Sequence, residues 1–140
     1  MICKTFALGT LCNYKYVVAL SFCGGKIMLS RHKQRTTWET QGGHIEAGET
    51  SMEAAKRELF EKSGAQEYTI TPVFDYWVLD EKDGSGASGQ VFLAQIRKLG
   101  SLPNSEMAEV GFFDTLPNAL TYPEITPTLF RHLEEMEETL

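Results

Sequence analysis

The most constraining feature of this sequence is a helix whose two ends are both marked by their residues. Thr50 and Glu53 have the spacing of a capping box, in which a hydroxyl and a carboxylate three residues apart satisfy the first free amides of a helix. Gly64 follows Ser63, and glycine commonly ends a helix in the left-handed conformation. The sequence therefore predicts a helix from Thr50 to Ser63.

The residues of this helix suggest one buried side and one charged side. Helical spacing predicts a shared apolar face for Met52, Ala55 and Leu59, and a charged cluster on the opposite side for Glu58, Glu61 and Lys62. Carboxylates three residues apart point the same way and suit Mg²⁺ or Mn²⁺, which prefer oxygen ligands. An ordinary solvated helix face has the same composition, so both interpretations stay open for the carboxylates alone.

A glycine pair precedes the helix and supplies a further possible ligand. Gly43 has no side chain to crowd an approaching ion, so its backbone carbonyl is a candidate oxygen donor. A basic segment at 31–35 lies before it and is interpreted either as a solvated turn or as a phosphate-binding loop.

The remaining segments predict a sheet flanked by helices. Two strands at 15–23 and 26–30 are separated by Gly24-Gly25, which is typical of a hairpin. Further strands are expected at 38–40, 68–79, 89–96 and 110–113. A last helix is expected from about Glu124, with these residues at helical spacing: Ile125, Leu129, Leu133, Met136 and Leu140. This order predicts an α/β sandwich.

Charge and composition narrow the class of protein. The 13 Lys and Arg against 19 Asp and Glu give a net charge of −6, so the chain lacks the basic stripe that duplex nucleic acid requires. No run of eighteen apolar residues and no signal peptide is present, so we expect no membrane partner and a cytoplasmic location. The three cysteines are expected to be reduced thiols.

The segment from Gly43 to Ala65 resembles the Nudix box, G-x5-E-x7-R-E-U-x-E-E-x-G-U, in which U is an apolar residue. All but one of the specified positions match: Gly43, Glu49, Arg57, Glu58, Leu59, Glu61, Gly64 and Ala65. The resemblance implies the Nudix fold, an α/β/α sandwich with a mixed sheet between helices, as a single domain over residues 1–140.

The resemblance also implies a reaction and a set of site residues. Members hydrolyse a nucleoside diphosphate linked to another moiety, with Mg²⁺ or Mn²⁺ held by glutamates of the box helix. Carried over to this sequence, Glu58 and Glu61 are expected to bind metal and to act in catalysis, and Arg57 to orient Glu49 and its loop. Glu49 is expected to reach a metal directly or through water. A further acidic ligand or base is expected near the strand at 110–113, from Glu106 or Glu109.

Lys62 stands where the pattern has its final glutamate, which puts an ammonium in the position of an expected metal ligand. Three outcomes are open at this point. Lys62 pairs with a neighbouring acid while another oxygen completes the metal shell, or it contacts a substrate phosphate in place of one metal. In the third outcome the site is catalytically weak and the domain binds or senses a nucleotide.

Substrate contacts outside the box are expected from two groups of residues. Arg31, Lys33 and Arg35 are candidates for gripping terminal phosphates, together with Lys62. Aromatic residues are candidates for stacking a base, although packing in the sheet is the ordinary role of such side chains; these are Trp38, Tyr76, Trp77 and Tyr122. The expected partner is a small-molecule nucleotide, and the sequence leaves monomer and homodimer open.

Overall fold

The computed structural model describes residues 1–138. It contains eight strands and two helices. In chain order these are β1 (Ile2–Ala7), β2 (Tyr16–Cys23), β3 (Lys26–His32), β4 (Trp38–Glu39), β5 (Gln41–His44), α1 (Ser51–Ser63), β6 (Ala65–Leu79), β7 (Gly86–Leu99), β8 (Met107–Phe113) and α2 (Thr126–Glu138). The predicted hairpin is confirmed, because β2 and β3 pair antiparallel around Gly24-Gly25.

The sheet is mixed, as the sequence predicts. Its main path runs β1-β6-β7-β2-β3-β4, with β5 paired to β2 and β8 paired to β3. The pair of β2 and β7 is parallel, whereas each of the other pairs in the described chain is antiparallel. The central position of β2 agrees with its sequence, because a strand that is covered on both faces needs a nearly continuous apolar run.

Successive residues of β2 divide the core into two layers. Val18 and Leu20 belong to one cluster together with Leu129 and Leu133 of α2. Val17 belongs to a cluster with Ala54 and Ala55 of α1, and Ala19 belongs to another with Leu59 of the same helix. Because neighbouring side chains of a strand point to opposite faces, one helix covers each face of the sheet. The predicted α/β/α sandwich is confirmed.

The chain between β3 and α1 fills the gap where β2 and β3 diverge. The first half of β2 pairs with β5, and its second half pairs with β3. The last part of β3 pairs in turn with β4. Residues 38–44 therefore cross from one diverging strand to the other, and this crossing lies beside α1.

The structure corrects several of the sequence predictions. Gly42 and Gly43, predicted as a break, lie within β5 and pair with β2. Strand β1 was not predicted, although it pairs with the end of β6. Helix α2 begins at Thr126 rather than near Glu124, after turns that return to the Tyr122 carbonyl. Leu140 lies outside the described residues.

The assigned faces of α1 also need correction. Thr50 and Glu53 form the predicted capping box, and Gly64 ends the helix with a φ of 77°. Glu58, however, is buried together with Ala55 and Leu59 instead of lying opposite them. The reason is the helical angle. At 100° per residue, three residues turn by 300°, so Glu58 lies only 60° from Ala55 around the helix axis.

No helix within residues 1–138 combines the length and the apolar character needed to cross a membrane.

Candidate active site

Arg57 ties the loop before α1 to the carboxylates of the helix. Its Nε and Nη2 donate to the two oxygens of Glu49 at 2.8 and 3.0 Å, and Nη2 also donates to the His44 carbonyl at 3.0 Å. Its Nη1 donates to Glu58 Oε1 at 2.8 Å and lies 3.5 Å from Glu61 Oε2. We call these five residues the Arg57 network. The guanidinium joins three carboxylates and one backbone carbonyl.

The Arg57 network shifts the pKa values of its members in opposite directions. The hydrogen bonds from Arg57, and a weaker contribution from the Glu46 amide, lower the pKa of Glu49 to about 2. Burial raises the pKa of Glu58 above its usual value, and the nearby Lys62 and Arg57 oppose that rise. Glu49 is therefore firmly ionised, whereas Glu58 is a carboxylate partly deprived of water.

Glycine at position 43 allows Glu58 to approach the sheet. A Cβ atom built on Gly43 would lie 2.7 Å from Glu58 Oε1 and 2.9 Å from Oε2. The contact is too short for any other residue unless the carboxylate moves. Strand β5 and helix α1 thus bring the first residue of the box against its buried glutamate, a juxtaposition that sequence spacing alone does not reveal.

A second set of charges surrounds Glu39, a residue that the sequence analysis did not single out. Lys62 Nζ lies 3.1 Å from Glu39 Oε2, and Arg35 Nη1 lies 3.2 Å from Glu39 Oε1. Thr121 Oγ1 donates to the same Oε1 at 3.5 Å. The Glu39 side chain is 5% exposed. We call Glu39, Arg35, Lys62 and Thr121 the Glu39 network.

The structure shows which acid Lys62 pairs with, and the three sequence alternatives for its role remain predictions. Its ammonium pairs with the neighbouring acid Glu39 and lies 3.9 Å from Glu58 Oε2. Arg35 is only four residues from Glu39, but Lys62 and Thr121 are 23 and 82 residues away, so only the fold reveals the burial of Glu39 and these two contacts.

Two cavities meet at the crossing of residues 38–44. The acidic cavity has a volume of about 350 Å³ and is lined by Glu58, Glu61, Glu106 and Lys62, among others. The aromatic cavity has a volume of about 420 Å³, and its lining includes Tyr16, Tyr76, Tyr122 and His44. Gly42, Gly43 and Lys62 belong to both linings. The two cavities therefore adjoin at these residues, and we refer to the pair together as the groove.

The donor set of the acidic cavity suits a hard divalent cation. Its carboxylates come from Glu58, Glu61 and Glu106, and Mg²⁺ or Mn²⁺ commonly takes one or two such ligands while keeping several waters. The absence of a side chain at Gly43 lets the Glu58 carboxylate lie beside the backbone of β5, within the lining of this cavity. Within residues 1–138, no three acidic, histidine or cysteine side chains converge closely enough to form an all-protein metal cage. An ion bound to these carboxylates would complete its shell with other ligands such as water.

The other predicted site residues are dispersed. Glu109 accepts a hydrogen bond from Arg31 Nε at 2.8 Å, and neither residue is among those described as lining the two cavities. Lys33 is held by its backbone amide, which donates to the Glu106 carbonyl at 2.9 Å. Trp38 packs edge-to-face on Phe113 with ring centroids 5.0 Å apart.

Two aromatic candidates lie in the groove, in contrast to Trp38. Tyr76 and Tyr122 both line the aromatic cavity, where Tyr76 is almost fully buried and Tyr122 is exposed. Arg35 lies next to Tyr122, and its hydrogen bond to that tyrosine raises the arginine pKa. The groove therefore combines aromatic rings, which can stack on an aromatic ligand, a lysine, which can bind a phosphate, and carboxylates.

Comparison with known proteins identifies the family. The family model of the NUDIX domain matches residues 15–124, and the chain belongs to this family. A search of curated protein sequences gives no match.

Solved structures with the same fold include three named hydrolases. A pyrophosphohydrolase from Bacillus subtilis is 23% identical with a TM-score of 0.81, and the match covers 98% of this chain and 90% of that chain. An ADP-ribose pyrophosphatase from Streptococcus suis is 22% identical with a TM-score of 0.67, covering 87% of this chain and 90% of that one. An Ap4A hydrolase from C. elegans is 16% identical with a TM-score of 0.63, and the match covers 90% of this chain and 100% of that chain.

Proposed function

We propose that this chain hydrolyses the pyrophosphate bond of a nucleoside diphosphate linked to another moiety, such as a nucleoside triphosphate, a dinucleotide or a nucleotide sugar. The observation that carries the proposal is that the acidic and aromatic cavities adjoin at Gly42, Gly43 and Lys62. A single ligand that spans them has its phosphates among the carboxylates and its base among the tyrosines. Membership of the NUDIX family supports the reaction class.

The proposed cofactor is Mg²⁺ or Mn²⁺, held by Glu58, Glu61 and the Gly43 carbonyl. Glu106 is favoured over Glu109 as a further ligand, because Glu106 lines the acidic cavity and Glu109 pairs with Arg31. When bound, the ion neutralises phosphate charge and makes water a better nucleophile.

The protein side chains have separate roles in the proposed reaction. Glu58 or Glu61 orients the attacking water and accepts its proton. A bond forms between the water oxygen and phosphorus, the bridging P–O bond breaks, and the leaving phosphate departs with the electron pair. Arg57 holds Glu58 and Glu49 in position through the hydrogen bonds described above.

The aromatic cavity is proposed to take the nucleoside. Tyr76 is almost fully buried and Tyr122 is exposed, so a base in this cavity would stack on Tyr122 and contact Tyr76 only through the small part of that ring that faces the cavity. Arg35 and Lys62 are the proposed phosphate contacts nearest to this cavity, whereas Arg31, Lys33 and Trp38 would reach only a ligand that extends beyond it.

A panel of nucleotides tests the proposal. The protein is incubated with nucleoside triphosphates, dinucleotides and nucleotide sugars in Mg²⁺ or Mn²⁺, and phosphate-containing products are separated and quantified. We expect one class to be cleaved, and we expect Glu61→Gln to abolish turnover without lowering the melting temperature. Glu67→Gln, which changes an exposed glutamate on β6, is the matched control. Full activity of Glu61→Gln would remove the assigned role of that carboxylate.

A second candidate function is nucleotide binding without turnover. The observation that favours it is the position of Glu58 between two cations, with Arg57 Nη1 at 2.8 Å from one oxygen and Lys62 Nζ at 3.9 Å from the other. Both cations compete with a metal for the same carboxylate. A nucleotide that raises the melting temperature in the presence of Mg²⁺ and Mn²⁺, but yields no product over days, would favour this candidate.

A further inference from the structure

Two paired strand residues hold Lys62, one through its backbone carbonyl and the other through its side-chain ammonium. Ser30 of β3 and Glu39 of β4 are partners in the sheet register. Ser30 Oγ donates to the Lys62 carbonyl at 2.6 Å, and Glu39 Oε2 accepts from Lys62 Nζ at 3.1 Å. The lysine therefore has a defined position at the end of α1, instead of the variable positions that a surface lysine adopts.

The buried carboxylate of Glu39 makes this position costly to leave. Its side chain is 5% exposed, and its other oxygen already contacts Arg35 and Thr121. Withdrawal of Lys62 would leave a buried charge with less compensation, which is strongly unfavourable. The ammonium thus stays beside Glu58, at the boundary between the two cavities.

The held ammonium keeps unused hydrogen-bonding capacity. A lysine has three N–H donors, and within residues 1–138 the structure gives Lys62 Nζ one side-chain hydrogen bond, to Glu39. The distance of 3.9 Å to Glu58 is an ion-pair distance and is too long for a hydrogen bond. Donors therefore remain for a ligand in the groove, of which Lys62 is part of the lining on both sides.

We propose that Lys62, positioned by Glu39, is a built-in cation of this site: it balances Glu58 where a second divalent ion would otherwise be drawn, and it donates directly to an oxygen of the ligand's phosphate chain. Glu39 is accordingly a positioning residue that acts through Lys62. This inference rests on the proposed function only in that the ligand carries a phosphate chain.

The first experiment counts bound Mn²⁺ by electron paramagnetic resonance, without nucleotide. Lys62→Glu places a new carboxylate near Glu39 and Glu58, and we expect it to bind Mn²⁺ at least about tenfold more tightly than the natural chain or to gain a further ion. Lys56→Glu is the matched control, because it makes the same charge change on an exposed position of the same helix. An equal Mn²⁺ affinity and number in the natural chain and Lys62→Glu would overturn the proposal.

The second experiment is a double-mutant cycle on ADP binding, measured by calorimetry at fixed Mg²⁺. We expect Lys62→Met to weaken ADP binding by about tenfold or more, and Glu39→Gln to weaken it by a smaller factor. The double variant should bind like Lys62→Met alone, because Glu39 acts through the lysine. If Glu39 affected ADP binding only through the general structure, its loss of affinity would add to that of Lys62→Met. Additive losses would therefore overturn the proposal. Unchanged ADP binding in Lys62→Met would also overturn it.

The two proposals fail in different ways. If the nucleotide panel yields no product but ADP binding still depends on Lys62 and Glu39 as described, the proposed hydrolysis is wrong and the built-in cation stands. If the panel yields product while Lys62→Met binds ADP as the natural chain does, the hydrolysis stands and the built-in cation is wrong. Lys56→Met should bind ADP normally in either case.

Discussion

The Arg57 network and the Glu39 network are neighbouring groups of charges with different origins. Arg57 and its partners Glu49, Glu58 and His44 lie within a short stretch of chain, and Glu49 is its most strongly held carboxylate. The Glu39 network instead joins a strand, the end of a helix and the segment before α2. A network of near neighbours is visible as a sequence motif, whereas a network of distant segments is not.

The two networks meet at Glu58. One of its oxygens faces Arg57 at 2.8 Å, and the other faces Lys62 at 3.9 Å. Glu58 is hydrogen-bonded within the Arg57 network, whereas Lys62 lies closer to Glu39, at 3.1 Å, than to Glu58. A variant in either network should therefore change the charge balance of the same carboxylate, by different amounts.

The largest effect is expected from Arg57→Met, which removes the centre of the Arg57 network. The charge of Glu58 would then face only Lys62, and Glu49 would lose its bidentate partner. We therefore expect the unfolding free energy to fall by about 2–3 kcal/mol. Turnover should fall by about 100-fold, because the positions of the carboxylates are no longer fixed. Urea unfolding and steady-state kinetics measure both.

Arg97→Met, an exposed arginine of β7, is the control for this substitution. If Arg57→Met retained turnover within a factor of about two, the carboxylates would be positioned without the guanidinium, and the Arg57 network would have no role in catalysis.

A smaller loss of stability is expected from Gly43→Ala, which tests the contact between β5 and Glu58. The added methyl group would lie 2.7 Å from Glu58 Oε1, so the carboxylate must shift, at a cost of about 1–3 kcal/mol. Thermal unfolding measures the loss. In the background of Glu58→Ala the same glycine substitution should cost much less, and an equal cost in both backgrounds would mean that the clash lies with the backbone instead.

The Glu39 network should show strong coupling between its two central residues. Lys62→Met and Glu39→Gln are each expected to cost about 1–2 kcal/mol of unfolding free energy, because each leaves a poorly compensated charge. The double variant should cost less than the sum, by about 1 kcal/mol. Simple additivity in urea unfolding would show that the contact of 3.1 Å contributes little.

A modest loss of unfolding free energy is expected from Thr50→Ala, which removes the N-cap of the helix that carries both Arg57 and Lys62. The loss should be about 1 kcal/mol, the usual cost of deleting a capping hydroxyl. Thr115→Ala, at an exposed loop position, is the control. A change in the ADP affinity of Thr50→Ala comparable to that of Lys62→Met would show that the cap also positions the site.

The smallest effect concerns acid stability. Arg57 lowers the pKa of Glu49 to about 2 from an ordinary value of 4.5, so its ionised form is favoured in the folded protein. This contribution is fully present above about pH 4.5 and is lost as the pH falls toward 2. Thermal unfolding between pH 6 and pH 2, in the presence of a chelator, should show a shallower decline for Glu49→Gln. Identical profiles would contradict the assigned pKa.

Local patterns allowed part of the fold and part of the site to be predicted. The ends of α1 and the β2–β3 hairpin are decided by residues within one or two turns of each other, and both predictions were confirmed. Strand β1 was missed because its short, mixed sequence gains its structure from pairing with β6, far away along the chain. Glycines 42 and 43 were interpreted as a break for the same reason, although β2 provides them with strand partners.

The sequence by itself determined the capped helix, its carboxylates and the presence of a lysine in an expected acidic position. The tertiary structure alone decided that Glu58 is buried against Gly43, that Glu106 rather than Glu109 lines the acidic cavity, and that Lys62 is held by Glu39. The physical reason is the range of the interactions. Capping and helical spacing depend on residues a few positions apart, whereas burial and ion pairing depend on segments that only the closed sheet brings together.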